Sequence, residues 1–228
     1  WKSLRYHKNF FHCYTTTCWE MRITLGQMLR YRVIAVVRME TQLEAERAIE
    51  AILKGGISVI EITFTTPNAI AVLRATAQIP EVIAGAGTVL LPAEVESAAA
   101  AGAAFAASPM VDESIIKQTT QGGLISLAGA FTPTEIVAAW RAGADIVKLF
   151  PMLPDPVKHL ATLRGPFPEI RFAPSGGVHQ QTARPLLQAG AAMLNVGSWL
   201  THQPDGSVSQ PNAITERAQR LMESIRAD

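Results

Sequence analysis

Six lysines occur in the chain, and one of them stands apart. Lys2, Lys8, Lys54, Lys117 and Lys158 fall in an arm, in helical stretches or at helix ends, where a solvated charge belongs. Lys148 sits instead in Asp145-Ile146-Val147-Lys148-Leu149-Phe150-Pro151, inside an apolar, β-branched run. Burying an ammonium is expensive. Desolvation favours the neutral amine, and a neutral amine is the nucleophile that forms a Schiff base with a ketone. The competing reading is a structural lysine paired with a buried carboxylate. Glu61 is the matching anomaly, a carboxylate centred in Val59-Ile60-Glu61-Ile62-Thr63. It reads either as the ion-pair partner of Lys148 or Arg38, or as a general acid and base. The two readings are compatible, because a carboxylate beside an amine also carries its protons.

Glycine marks a second kind of chemistry. Gly176-Gly177 and Gly197-Ser198 each follow a short apolar run. Glycine lets backbone N–H groups approach an oxyanion closely. One Gly-Gly is usually a turn; two such signals at the ends of the last two strands of a barrel point to a phosphorylated ligand. Arg38, Thr88 and Ser108-Pro109 are further polar or irregular breaks at strand ends. His159 and His179 are isolated and read as non-catalytic surface or loop residues. No His, Cys or Asp cluster has metal-ligand spacing, so neither metal nor cofactor is expected.

For these residues to meet, the elements must bring distant strands together. Apolar runs recur at Val33–Val37, Val59–Thr63, Val82–Ala86, Phe105–Ser108, Leu124–Leu127, Ile146–Phe150, Arg171–Ala173 and Met193–Val196. Their spacing suits one strand–helix unit each. Helix starts are marked by Thr41 with Glu44 and by Thr132 with Pro133 and Glu135. Thr66-Pro67, Leu91-Pro92 and Asp155-Pro156 mark others, and Gly55-Gly56, Gly102, Gly143 and Gly190 mark helix ends. Strands apolar on both faces belong in a parallel sheet covered by helices. The expected fold is α/β, a (β/α)8 TIM barrel whose active site lies at the C-terminal strand ends. A doubly wound open sheet is the alternative, but it wants a glycine-rich turn after strand 1, where Val37-Arg38-Met39 stands.

Composition narrows the partners. Hydrophobic residues make up 48% and charged residues 17%, enough for a sizeable core. A net charge of +1 lacks the basic excess of a nucleic-acid binder, and no run has the ~18 unbroken apolar residues of a membrane span. Residues 1–20 differ from the rest: they hold both cysteines, Cys13 and Cys18, with Trp1 and Trp19. They are expected to lie outside the fold, with the barrel over 21–228. A body without cysteine suits a cytoplasmic, disulfide-free protein.

Taken in order, the motifs form a set. Glu61-Ile62-Thr63, Gly85-Ala86-Gly87-Thr88-Val89-Leu90, Ser108-Pro109 and Lys148-Leu149-Phe150-Pro151 resemble the KHG/KDPG aldolase family, the class I 2-keto-3-deoxy-6-phosphogluconate aldolases. Gly165-Pro166-Phe167, Pro174-Ser175-Gly176-Gly177-Val178 and Gly197-Ser198 extend the resemblance, which spans about residues 24 to 204. It implies a homotrimer and a lysine, Lys148, that forms the Schiff base with pyruvate or with the substrate ketone. Glu61 would be the acid and base, working through a water. Thr88 would bind the pyruvyl carboxylate. Pro109 and Phe150 would line the substrate site, and Gly176, Gly177, Gly197 and Ser198 would hold the phosphate. The chain departs from the commonest pattern at Thr65, where many members have a carboxylate-binding arginine; Arg38 is the candidate replacement, and Thr65 itself is expected among the substrate-binding residues. Ala128-Gly129 and Met152-Leu153-Pro154-Asp155 also differ, which bears on the aldehyde half of the substrate. The resemblance implies cleavage of the 6-phosphogluconate derivative or of 4-hydroxy-2-oxoglutarate. The alternatives are the phosphogalactonate epimer and a phosphate-binding barrel without aldolase chemistry.

Overall fold

Eight short parallel strands form the centre of the computed structural model, which describes residues 23–226. They are β1 (Val33–Val37), β2 (Val59–Thr63), β3 (Ile83–Gly87), β4 (Phe105–Ser108), β5 (Ile125–Ala130), β6 (Ile146–Leu149), β7 (Phe172–Pro174) and β8 (Leu194–Val196). The sheet runs β7-β6-β5-β4-β3-β2-β1-β8, and a parallel bridge between Ser175 and Asn195 joins its ends into a barrel. The (β/α)8 expectation is met. The expected extension over residues 1–20 lies outside the described residues.

Each strand is followed by a helix that buries its apolar stripe on the sheet: α2 (Gln42–Lys54), α3 (Ala69–Ala77), α4 (Pro92–Ala100), α5 (Glu113–Gln121), α6 (Pro133–Arg141), α7 (Pro156–Arg164), α8 (Gln180–Gln188) and α10 (Pro211–Arg226). Two short helices stand outside this alternation. The first, α1 (Leu25–Leu29), precedes β1, and its fully buried Met28 packs into the bottom of the barrel. The other, α9 (Ser198–Thr201), lies between β8 and α10. No described helix is long and apolar enough to cross a membrane.

Local signals place most helix ends. At α6 the Thr132 hydroxyl accepts from the Glu135 N–H, and the Glu135 carboxylate accepts from the N–H groups of Phe131 and Thr132. Thr66-Pro67 does not open α3. That helix starts at Ala69 behind Asn68, whose φ is 55°. The Thr66 hydroxyl is committed elsewhere, accepting from the Met39 N–H across the β1 loop. Strand β5 runs past its expected end to Ala130, because Ala128 and Gly129 still pair with Val147 and Lys148.

Alternation divides the strands into two faces. Ile60, Ile62, Val147, Leu149, Leu194 and Val196 belong to the outer core under the helices. Val59, Phe105, Ile146 and Met193 belong to the core inside the barrel. Following the strand registers round the barrel, with the stagger that closes eight strands, sorts the inward residues into layers drawn from alternate strands. Val59, Phe105, Ile146 and Met193 form an apolar layer. The next layer from the same strands is Glu61, Ala107, Lys148 and Asn195. Between this layer and the barrel mouth lie Val36, Gly87, Gly129 and Ser175, mostly small residues that leave room for a ligand.

Candidate active site

Glu61 on β2 and Lys148 on β6 face each other across the barrel. The Lys148 amine donates to both carboxylate oxygens of Glu61, at 3.0 Å to Oε1 and 3.2 Å to Oε2. Glu61 is 0% exposed and Lys148 7%. The sequence left open a catalytic amine or a paired structural one, and the observed contact is compatible with both. The pair is an ion pair that also gives the amine an immediate acceptor for its proton. Gly87 makes this possible. A Cβ there would collide with Glu61 Oε1, Cγ and Cδ, so the carboxylate rises past β3 only because that position carries no side chain.

Above the pair opens a cleft of about 620 Å³. Nine of the residues singled out from sequence converge on it: Arg38, Thr88, Pro109, Lys148, Phe150, Gly176, Gly177, Gly197 and Ser198. Glu61 lies beneath and is reached through Lys148. Thr65 does not line the cleft. Its hydroxyl accepts from Arg38 Nη1 at 2.8 Å, while Thr88 accepts from Nη2 at 3.1 Å. Thr88 has φ of 56°, a left-handed conformation rare for a β-branched residue. It follows β3, and from there it meets an arginine from the end of β1. The Arg38 guanidinium is thus oriented by two neutral hydroxyls and has no carboxylate partner among the described residues. A guanidinium so oriented at a cleft can receive a planar anion.

The opposite wall is built from backbone. Gly176 and Gly177 follow β7 with φ of 98° and 68°, values that glycine takes readily. Gly197 has a negative φ of −109°, and a Cβ there would meet Val36 at 3.8 Å, an ordinary contact. Among the described residues, no backbone carbonyl accepts from the Gly177 N–H.

Several wall residues escaped the sequence reading. His179, expected to be a non-catalytic surface or loop residue, lines the cleft at the N-cap of α8, where its Nδ1 contacts Gln181 Oε1 at 2.7 Å. Its place beside Gly177 follows from the turn into α8, which isolated spacing does not reveal. His159 lies on α7 and outside the cleft, half-buried against the Phe131 ring. Burial lowers its pKa. Arg217 reaches the cleft from α10, donating to the carbonyl of His202 at 2.9 Å and to Ser209 Oγ at 2.8 Å. It ties down the segment after α9, and no local motif announces it.

Residues 26–214 match the family described as KDPG and KHG aldolase. The Escherichia coli K12 protein named KHG/KDPG aldolase is 33% identical over 196 residues, covering 85% of this chain and 91% of its own length. A structure of the Legionella pneumophila KDPG aldolase, with pyruvate captured as a covalent carbinolamine intermediate, has a TM-score of 0.76 at 27% identity. That comparison covers 89% of this chain and 99% of the other. The KDPG aldolase of Zymomonas mobilis ZM4, with 3-phosphoglycerate, gives a TM-score of 0.76 at 26% identity, covering 86% and 93%. On the strength of a family match over most of its length, the chain belongs to the KDPG and KHG aldolases, a family of aldehyde-lyases.

Proposed function

We propose that the chain is a class I aldolase that cleaves 2-keto-3-deoxy-6-phosphogluconate to pyruvate and glyceraldehyde 3-phosphate, and also 4-hydroxy-2-oxoglutarate to pyruvate and glyoxylate. The observation that carries this is the buried Lys148–Glu61 contact under a cleft with an unneutralised arginine. The pyruvate carbinolamine and the phosphoglycerate of the two related structures support the same substrate classes.

Arg38, with Thr88, holds the C1 carboxylate. Lys148 passes a proton to Glu61 and attacks the C2 ketone, forming a C–N bond. The carbinolamine takes up a proton and loses water to give the iminium. Glu61, again a carboxylate, accepts the C4 hydroxyl proton through a water. The C3–C4 bond then breaks, its electrons enter the enamine, and the aldehyde leaves. Protonation at C3 and addition of water release pyruvate and regenerate the amine. The N–H groups of Gly176, Gly177 and the Gly197–Ser198 turn bind the phosphate, remote from the reacting bond.

The catalytic unit comprises residues 21–228, cytoplasmic and assembled as a homotrimer. Leu90, Leu91, Met110 and Phe131 support self-association, because they are exposed in the loops after β3, β4 and β5. Borohydride reduction with pyruvate, followed by peptide mapping, tests the chemistry. Label on Lys148 and loss of activity are expected; label on Lys54 or Lys117, or none, would overturn the assignment.

A further inference from the structure

The layer that holds Glu61 and Lys148 contains a third polar side chain. Asn195 on β8 is 1% exposed, and among the described residues neither its Nδ2 nor its Oδ1 has a hydrogen-bond partner. Buried amides are almost always satisfied within the protein or by a bound group, because an unmatched donor and acceptor are costly. Strand alternation points this side chain into the barrel. Met193, two residues earlier, belongs to the interior core, while Leu194 and Val196 belong to the outer one. The registers put Asn195 level with Glu61, Ala107 and Lys148. Glu61 and Lys148 occupy opposite strands of that layer, so in strand order Asn195 lies between them on one side and Ala107 on the other. Val36, Ser175 and Gly197 form the cleft floor above it.

Resting on the Schiff-base reading above, we propose that Asn195 is the polar partner of the substrate's C2 oxygen. When the Lys148 nitrogen bonds to C2, the carbonyl oxygen becomes a hydroxyl, which both donates and accepts. A primary amide matches both, with Oδ1 accepting from the hydroxyl and Nδ2 donating to it. In the dehydration step the C2–O bond breaks, and the oxygen leaves as water after taking a proton from the Glu61 carboxyl. The nitrogen lone pair becomes the second C=N bond. Asn195 holds that oxygen through departure, and in the reverse direction it holds the water that attacks the iminium. Its role is therefore confined to the oxygen-exchanging steps and is separate from carboxylate binding by Arg38.

The test follows the oxygen itself. Pyruvate carrying heavy oxygen at C2 loses label to water on each carbinolamine cycle, which mass spectrometry reads directly. Asn195→Leu should slow enzyme-catalysed loss of label by about tenfold, the scale of one hydrogen bond in a transition state. Pyruvate KM should change much less, and Asn195→Ser should restore most of the rate. Where the leucine variant does not fold, Asn195→Ala is read the same way. Exchange at the unchanged rate in folded Asn195 variants, with only a lower melting temperature, would overturn this inference while leaving the aldolase reading intact. Absence of catalysed exchange in the unchanged chain would overturn the Schiff-base reading and this inference with it.

Discussion

Val59, Phe105, Ile146 and Met193 make one layer of the barrel interior; Glu61, Ala107, Lys148 and Asn195 make another, two positions further along the same four strands. Both layers obey the same alternation and both are buried. The lower one is wholly apolar and sealed from beneath by Met28. The upper one carries a carboxylate, an ammonium and an amide. One pleat thus separates a packed plug from a charged and polar layer, and the residues between that layer and the cleft are mostly small. Apolar packing inside the barrel lies toward the N-terminal strand ends, and the charged and polar groups lie toward the C-terminal ends under the cleft, the arrangement expected of this architecture.

The largest effect should come from making the upper layer resemble the lower one. Lys148→Met should abolish pyruvate labelling and reduce kcat by at least about 10⁴-fold. It should also destabilise the fold by about 3–5 kcal/mol, because Glu61 is left buried without its cation. Adding Glu61→Leu should recover that stability in denaturant titration and recover no activity. A double variant less stable than the single one would show the ion pair to be structural. Emptying the lower layer should do the reverse. Phe105→Ala should cost about 3–5 kcal/mol through the cavity it leaves. Below its melting temperature, Lys148 should still be labelled by pyruvate. Loss of labelling in folded protein would show that the plug positions the amine.

Intermediate effects should separate the two walls of the cleft. Arg38→Ala should raise KM for every 2-keto acid by about tenfold or more, through loss of a charge-assisted contact. Gly197→Val should raise KM only for phosphorylated substrates, although some remote binding energy also appears in kcat. If Arg38→Ala affects phosphorylated substrates alone, Arg38 binds the phosphate and the carboxylate belongs elsewhere.

The smallest effect should lie outside both layers, at the start of α6. The N–H groups of Thr132 and Phe131 hold the Glu135 carboxyl below the usual range. A depressed carboxyl contributes stability above its unfolded pKa and loses it as pH falls through the folded value. Glu135→Gln should therefore be slightly less stable than the unchanged chain at neutral pH and match it in acid, with kinetics unaltered. A stability gap that widens in acid would contradict this assignment.

Lys148 and Glu61 were legible because charge inside an apolar strand is costly, and local pattern alone exposes that cost. Periodic glycines, prolines and threonines likewise revealed the alternation of strand and helix, since caps and turns act over a few residues. Thr65 shows the limit. Its type and position suggested substrate contact, yet its hydroxyl is occupied by Arg38, a partner 27 residues away. Asn195 breaks the apolar pattern of its strand, but a single amide there has no local signature that gives it a role. His179 and Arg217 entered the cleft through the turn into α8 and the return of α10. The sequence by itself determined which residues can do chemistry and which elements form, because propensity, capping and burial costs are local. Only the closed barrel decided which of them share a layer, because strand stagger and the Ser175–Asn195 closure bring β2, β6 and β8 to one level.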